Sequence, residues 1–169
     1  MNVFPQVSVA RFQQLQPGDL FILLDSESNC VGVKTAKPAN GDPSEIALLG
    51  PSFPRGNTGP FLVSWRGANC VAFGQDYTVL LPTSPSAWSE SEPPIDVLCL
   101  ACVDQRMYVR VNGDKSGRPF FPCYVDLASG AIVEKSLSAV AGIAAYASQW
   151  EIVATHPNVQ PRSILKVPY

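Results

Sequence analysis

The most suggestive chemical motif in the sequence is a C-x-x-C formed by Cys99 and Cys102. Two thiols at this spacing can bind zinc if the chain turns between them, or form a redox pair if they open a helix after a strand. Here they lie within an apolar run, Ile95 to Val103, which is typical of a strand. Residues three apart on a strand point to opposite faces of the sheet. We therefore interpret both cysteines as buried structural thiols, with a zinc site and a redox pair as the alternatives.

The remaining reactive side chains do not form a recognisable site. His156, the one histidine, precedes Pro157, and nothing in the sequence positions a thiol beside it, as a Cys–His dyad requires. We expect this histidine in a solvated loop. The carboxylates occur singly, and we expect Asp126 to cap the turn that follows it. The sequence also lacks a Walker, Rossmann or nucleophile-elbow motif, so it predicts no catalytic residues, no bound metal and no cofactor.

Composition and charge narrow the class of protein. The 169 residues are 46% hydrophobic and only 15% charged, which is too apolar for a disordered chain. The 12 basic residues are scattered and outnumbered by 14 acidic ones, which argues against binding to duplex nucleic acid. No apolar run approaches the roughly 20 residues that span a bilayer, and the start does not resemble a signal peptide. We expect a cytoplasmic protein without a membrane segment, whose five cysteines are reduced.

Short apolar runs separated by proline and glycine predict a mainly β protein with little helix. A tight turn is expected at Asn112-Gly113-Asp114, because Asn and Gly tolerate positive φ. Ser136 to Ala147 is the one helix candidate, and Gly142 within it leaves an irregular loop as the alternative. The predicted strands are Phe21–Leu24, Cys30–Thr35, Ile46–Leu49, Phe61–Trp65, Val71–Leu81, Ile95–Val103, Met107–Val111, Phe120–Leu127, Ala131–Val133 and Gln149–Ala154.

The segment PTSPSAWSESEPP, Pro82 to Pro94, divides the chain. Its four prolines and four serines exclude a central strand and favour an extended linker. The predicted organisation is a first β unit over residues 1–81, a linker over 82–94 and a second β unit over 95–169. Trp88 in the linker either pins it to the body of the protein or serves as an exposed anchor for a partner.

The two predicted units have the pattern of an internal sequence repeat. The stretch AFGQDYTVLL, which starts at Ala72, aligns with AYASQWEIVA, which starts at Ala145, at an offset of 73 residues. Four core-like positions then match by type: Phe73 with Tyr146, Tyr77 with Trp150, Val79 with Ile152 and Leu80 with Val153. Upstream, at an offset of 78 residues, Val31 and Val33 match Val109 and Val111. The expected architecture is two related barrel-like (SH3-like) units in tandem, as separate barrels or as one fused pseudo-symmetric body.

The turn motifs carry a resemblance to a known group. The segments FQQLQPGDLF, from Phe12, and VGVKT, from Val31, resemble the opening of small Pro-Gly-Asp-x-Phe β-barrel modules found in uncharacterised phage and bacterial proteins. YVRV, from Tyr108, and VDLASGAIV, from Val125, are similar to the later part of that pattern. The second copy lacks the Pro-Gly-Asp opening, and the first lacks the Asp-Leu-x-x-Gly turn. The resemblance implies a small barrel-like fold and a mobile-element origin, but no activity.

A non-enzymatic binding or accessory role follows from a β-rich repeat without a catalytic cluster. We expect barrel loops and the groove between the units to bind a protein partner or a small ligand, and strand edges allow a homo-oligomer. The candidate ligand-binding residues are Arg55, Trp65, Trp88, Arg106, Tyr108, Arg110 and Phe120.

Two alternatives remain open from the sequence. An enzyme site between the units would draw on Cys123, His156, Arg110 and Asp126. A single-stranded nucleic-acid surface needs aromatic and basic residues on one sheet face, and an alternating strand from Arg106 to Arg110 would provide a fragment of one.

Overall fold

A computed structural model describes residues 8–24, 30–36, 46–51, 59–64, 69–94, 97–113, 121–134, 136–137, 144–156 and 159–167. The described chain is built from strands and confirms the prediction of a mainly β protein. Two short 3-10 turns, Phe12–Gln14 and Pro85–Ala87, interrupt them. The strands are β1 (Ser8–Arg11), β2 (Leu20–Leu23), β3 (Cys30–Lys34), β4 (Ile46–Pro51), β5 (Phe61–Val63), β6 (Asn69–Gly74), β7 (Tyr77–Leu80), β8 (Trp88–Ser89), β9 (Leu100–Val103), β10 (Arg106–Gly113), β11 (Phe121–Asp126), β12 (Ile132–Val133), β13 (Ala145–Ala147), β14 (Trp150–His156) and β15 (Val159–Val167).

The strands of the two halves pair in the same order. Strands β1 to β6 form the series β1-β6-β2-β3-β4-β5, and strands β8 to β13 form the series β8-β13-β9-β10-β11-β12. Every pair within either series is antiparallel. A single parallel bridge, Asn112 opposite Phe61, joins the two series into one sheet of 12 strands.

The register of the paired strands also agrees between the halves. Ile22 faces Val31 in the first half, and Leu100 faces Val109 in the second, with each residue 78 positions after its counterpart. This is the offset at which the valines of β3 and β10 align in the sequence.

The strand that follows each series in the chain lies outside the large sheet and pairs with its counterpart from the other half. β7 pairs antiparallel with β14, and β15 covers the other side of β14, which gives a three-stranded sheet in the order β15-β14-β7. Within the β7–β14 pair, Val79 lies opposite Ile152. These two residues are equivalent at the 73-residue offset, so a pseudo-two-fold axis passes through the pair. The other registered residues obey the same axis, since Leu80 faces Glu151 and Thr78 faces Val153.

The hydrophobic core follows this symmetry. One buried cluster draws on both halves and includes Val31 and Val33 from β3 with Val109 and Val111 from β10. Each half also has a cluster of its own, around Phe21 in the first and around Tyr124 in the second. Because the largest cluster is shared, the halves form one body and not two independently packed barrels.

We call the clusters that belong to one half only the private clusters. They differ in the sizes of the residues at two equivalent positions. In the first half Phe21 packs over Gly32, where an added Cβ would lie 2.6 Å from the end of the phenylalanine ring. In the second half the equivalent residues are Cys99 and Arg110, whose backbones are joined by an N–H to carbonyl hydrogen bond of 3.0 Å. The first half thus pairs a large residue with a glycine, and the second half pairs a small residue with an arginine.

Several local predictions are corrected by the structure. β10 continues through Asn112 and Gly113, so the tight turn does not begin there. The turn between β9 and β10 is formed by Asp104 and Gln105, both with positive φ, as tight antiparallel turns require. His156 is the last residue of β14 and not a loop residue.

Other differences concern which segments form strands. Ala145–Ala147, at the end of the helix candidate, is strand β13, and residues 138–143 of that candidate lie outside the described part. The sequence did not predict β1, β8, β13 or β15. The linker carries the short edge strand β8, in agreement with its exclusion from a central position. The boundaries at residues 81 and 95, the SH3-like nature of the units and their origin by duplication stay predictions.

Two turns, one from each half, dock beside the β7–β14 pair. The Gly18 N–H binds the Lys34 carbonyl (2.8 Å), and the Ala36 N–H binds the carbonyl of Gly130 (2.7 Å). Gly130 has φ +66°, and a Cβ there would lie 2.5 Å from the Lys34 carbonyl oxygen. Asp126 caps the turn as predicted, because its Oδ1 accepts the Ala128 N–H at 2.9 Å. The Pro-Gly-Asp and Asp-Leu-x-x-Gly turns are therefore in contact across the two halves.

We expect Gly130→Ala to destabilise the protein more than Gly74→Ala. Both glycines have positive φ, but a Cβ on Gly74 would meet nothing within 4 Å. Gly74→Ala should therefore lower the free energy of unfolding by only about 1 kcal/mol, which is the cost of a positive φ for alanine. Gly130→Ala must also separate the docked turns, and we expect a loss of about 3 kcal/mol in the free energy of unfolding. Equal losses in urea unfolding would show that this contact contributes little.

Candidate functional site

The predicted basic and aromatic face of β10 points into the protein. Arg106 is exposed, but Tyr108 is 9% and Arg110 only 2% exposed. They alternate along one face of the strand, as predicted, and that face packs toward the private cluster of the second half, to which Tyr108 belongs. Three other candidates, Arg55, Trp65 and Phe120, lie outside the described residues. Ligand binding by any of these residues stays a prediction, and both Tyr108 and Arg110 are buried.

Arg110 holds the end of the linker. Its guanidinium donates hydrogen bonds to the carbonyls of Pro93 and Pro94, and to the Val97 carbonyl at 2.8 Å. Glu92 lies 3.6 Å away, measured from Nη1 to Oε1. Because a buried guanidinium is costly unless its N–H groups are satisfied, these contacts explain why an arginine is tolerated in the core.

A tyrosine completes this buried polar cluster. The Tyr124 hydroxyl donates to the Glu92 carboxylate, and burial followed by that carboxylate raises the pKa of Tyr124 far above its usual range. Tyr124 therefore stays protonated and acts as a hydrogen-bond donor. Glu92 is thus bound by both Arg110 and Tyr124, and the cluster fixes the linker against β10 and β11.

Trp88 fixes the other part of the linker. Its indole N–H donates to the Pro82 carbonyl at 3.1 Å, and its half-buried ring packs against the shared cluster. These contacts are those expected of a residue that pins the linker to the body.

The residues considered for an enzyme site lie on different faces and elements. Cys123 is fully buried in the shared cluster, while its neighbour along β11, Tyr124, belongs to the private cluster of the second half. Arg110 is opposite Tyr124 in the register, so it lies on the other face from Cys123. Asp126 is committed to its turn, and His156 ends a different sheet.

The C-x-x-C cysteines also lie on opposite faces, as expected for a strand. Cys99 belongs to the private cluster of the second half, and Cys102 packs against the shared cluster. Burial raises the pKa of the Cys99 thiol to about 11 and also raises the pKa of Cys102. At neutral pH both are thiols, which are weaker nucleophiles and metal ligands than thiolates.

A half-open depression lies where the two halves meet, at the end of the three-stranded sheet. It is lined by residues 80–82 after β7, 149–151 at the start of β14 and 166–167 at the end of β15, and it encloses about 410 Å³, including open solvent. Across its floor the register places Leu80, Glu151 and Lys166 side by side. We refer to it as the Trp150 depression.

The Trp150 depression combines exposed apolar groups with an unsatisfied donor. Leu80 is 47% and Leu81 is 41% exposed, among the largest exposures of apolar residues in the described chain. Trp150 is 4% exposed, and its indole N–H has no hydrogen-bond acceptor among the described residues. A buried N–H without an acceptor costs about 1–3 kcal/mol. Trp150 belongs to the shared cluster and lies on the face of β14 opposite to Glu151 and its neighbour Leu80.

The residue equivalent to Trp150 in the first half is satisfied within the protein. Tyr77 donates its hydroxyl to the carbonyl of Leu127 at 2.8 Å, with Gly18 O at 3.3 Å. Burial, together with the carboxylates Asp126 and Asp19, raises the pKa of Tyr77 to about 12, so the donor is retained at neutral pH. Tyr77 therefore serves the junction of the two turns, whereas the donor of Trp150 has no acceptor among the described residues.

Comparisons with known proteins do not assign a family. The chain matches no protein-family model, no curated protein and no solved structure. In the described residues no group of three or more His, Cys, Asp or Glu side chains could hold a metal ion. Over the same residues, no helix has the length and apolar character needed to cross a membrane.

Sequence reasoning placed Trp150 correctly in a late strand but did not single it out as a site residue. The alignment of the two copies contained the relevant signal, because it set Trp150 against a tyrosine with a different polar group. Nothing in the sequence indicated that Leu80 and Leu81 are exposed, because both are typical residues of a buried strand.

We expect Arg110→Ala to destabilise the protein by about 3 kcal/mol, because two linker carbonyls, the Val97 carbonyl and Glu92 lose their buried partner. Arg106→Ala, on the same strand but at an exposed position, is the matched control, and we expect a change within about 0.5 kcal/mol. Denaturant unfolding measures both. A loss below about 1 kcal/mol for Arg110→Ala would contradict the anchoring role.

Proposed function

We propose that the protein is a non-enzymatic binding or accessory module that binds a segment of a partner protein at the Trp150 depression. A cytoplasmic location and an origin among phage and bacterial β modules belong to the same proposal. The groove between the two halves is thus the binding site, as the sequence suggested, but its residues differ from those chosen from the sequence.

The main observation in favour of this function is the exposure of two consecutive leucines, Leu80 and Leu81, in the lining of the Trp150 depression. Residues that dominate protein interfaces are typically apolar or aromatic groups with a polar atom that finds its partner on binding. Glu151 and Lys166 on the floor add one charge of each sign, which can fix the orientation of a peptide.

The shape of the depression favours a peptide over a small molecule. Pockets for small ligands usually enclose about 300–1,000 Å³ and bury most of the ligand surface. Here only about 120 Å³ of the 410 Å³ is comparable with such a pocket volume, because the larger figure includes open solvent. An extended segment could place one apolar side chain beside the leucines and a backbone carbonyl near Trp150 while the rest continues over the surface.

The alternatives have less support. The buried thiols of Cys30 and Cys99 have pKa values raised to about 11 by burial, which disfavours thiolate chemistry. A nucleic-acid surface on β10 would need its aromatic and basic residues to be accessible, and Tyr108 and Arg110 are buried.

Titration of the ¹⁵N-labelled protein with a panel of synthetic extended peptides, each carrying one large apolar residue, tests the proposal. The chain has three tryptophans, so three indole N–H signals report on binding. We expect binding peptides to shift the Trp150 indole signal and the backbone amide signals of Leu80 and Leu81. The double variant Leu80→Ser/Leu81→Ser should bind at least tenfold more weakly, since most of the apolar contact is lost.

Leu24→Ser is the matched control, because Leu24 is 54% exposed but does not line the depression. It should bind like the unmodified protein. The proposal is wrong if no peptide binds at millimolar concentration, if the double variant binds normally, or if the shifts avoid Trp150.

A further inference from the structure

The two strands related by the pseudo-two-fold axis, β7 and β14, have different numbers of neighbouring strands. β14 has a neighbour on each side, β7 and β15, whereas β7 has only β14 among the strands that the structure describes. β7 is therefore an edge strand with one row of backbone N–H and carbonyl groups not paired to a strand. Such edges can accept a strand from another chain.

The pseudo-two-fold axis shows what is missing at this edge. After β14 the chain turns back at once and adds β15, which pairs with β14 from Trp150 to His156. After β7 the chain instead leaves through the linker and forms β8, which pairs with β13 in the large sheet. Among the strands that the structure describes, the first half thus has no counterpart of β15.

Burial of equivalent residues reflects the missing strand. Val79 is half-buried, but its equivalent Ile152, which lies between two strands, is fully buried. Leu80 is 47% exposed, and its equivalent Val153 is 6% exposed.

The same difference continues beyond the end of β7. Leu81 is 41% exposed, and its equivalent Ala154 is 6% exposed. The side chains of Leu80 and Leu81 are apolar like those of their buried equivalents, but no neighbouring strand in the described chain buries them.

We propose that the free edge of β7 binds an extended segment of a partner protein as an added antiparallel strand, in the place that β15 occupies on β14. This inference rests on the proposed function and specifies its mode of binding. The added strand would place an apolar residue opposite Val79, as Leu165 of β15 lies opposite Ile152. Its neighbours would cover Leu80 and continue into the Trp150 depression.

A partner segment fits this edge better than a second copy of the chain. β7 has four residues, so pairing of two β7 edges would bury far less than the roughly 1,200–2,000 Å² typical of stable interfaces. β15, the strand of this chain that matches the edge, is already paired with β14. A flexible partner segment needs only one strand-length of surface and gains affinity from the adjoining depression.

The synthetic peptide VQPRSILKV, the sequence of β15, is the probe, added to the full-length protein. We expect it to bind and to slow hydrogen exchange of the outward-facing amides of β7 at least tenfold, because they become hydrogen-bonded. Exchange in β14 and in the protein's own β15 should not change.

Two N-methylated peptides provide the control for backbone pairing. One carries methyl groups on the amides equivalent to Ser163, Leu165 and Val167, and the other on those equivalent to Ile164 and Lys166. Only alternate amides of an added antiparallel strand face its neighbour, so one peptide should lose binding and the other should retain it.

The strand-addition mode is overturned if the peptide does not bind at millimolar concentration, if it displaces the protein's own β15, or if both methylated peptides bind equally. It is also overturned if the protein alone forms a dimer through β7 in sedimentation measurements. Peptides that shift Trp150 without protecting β7 would leave the proposed function intact and remove only this mode. A panel in which no peptide binds the depression would remove the function itself.

Discussion

The antiparallel pairing of β7 with β14 is the interaction on which the rest of the structure depends. It joins equivalent strands of the two halves, with Val79 and Ile152 facing each other at the pseudo-two-fold axis. The docked turns around Gly18 and Gly130 lie beside this pair and are linked through the end of β3, because the Lys34 carbonyl accepts the Gly18 N–H and the Ala36 N–H donates to the Gly130 carbonyl. Tyr77 connects the strand pair to both turns through its hydroxyl. The relative position of the halves, and hence their shared core, follows from this junction.

The functional features arise where the two halves depart from symmetry. The second half replaces a Phe21–Gly32 contact with Cys99 and Arg110, and the arginine binds the linker carbonyls. It also contains β15, which has no counterpart beside β7 in the described part of the chain. The first change fixes the linker, and the second leaves an exposed edge next to the Trp150 depression. The features that the two halves have in common therefore form the shared core, and the features in which they differ form the proposed binding surface.

The sequence predicted the fold class and most central strands because apolar alternation and turn residues report directly on local structure. The valine pairs of β3 and β10 aligned at the offset that the register later showed. β13 was missed because Ala145–Ala147 is short and lies in a segment with helical spacing. β15 was missed because Pro161 and Arg162 interrupt its apolar pattern, which an edge strand tolerates.

The candidate site was harder to predict for a physical reason. Exposure of a strand residue depends on whether another strand covers it, and the sequence of β7 contains no information about a neighbour that is missing. The basic residues of β10 show that burial is equally hard to predict when the covering segment is distant in sequence. Arg106 and Arg110 look alike in an alternating strand, yet one is exposed and the other is buried under linker carbonyls that lie far from it in sequence.

Residue-level urea unfolding followed by amide signals is the most direct test of a single body built around the β7–β14 junction. Signals from the first half, such as Val33, and from the second, such as Val111, should lose native intensity at one common urea midpoint, because both belong to the shared core. Phe21→Leu, a change confined to the private cluster of the first half, should lower both midpoints equally. Two separate midpoints, or a shift in the first half alone, would show that the halves fold independently and would contradict this account.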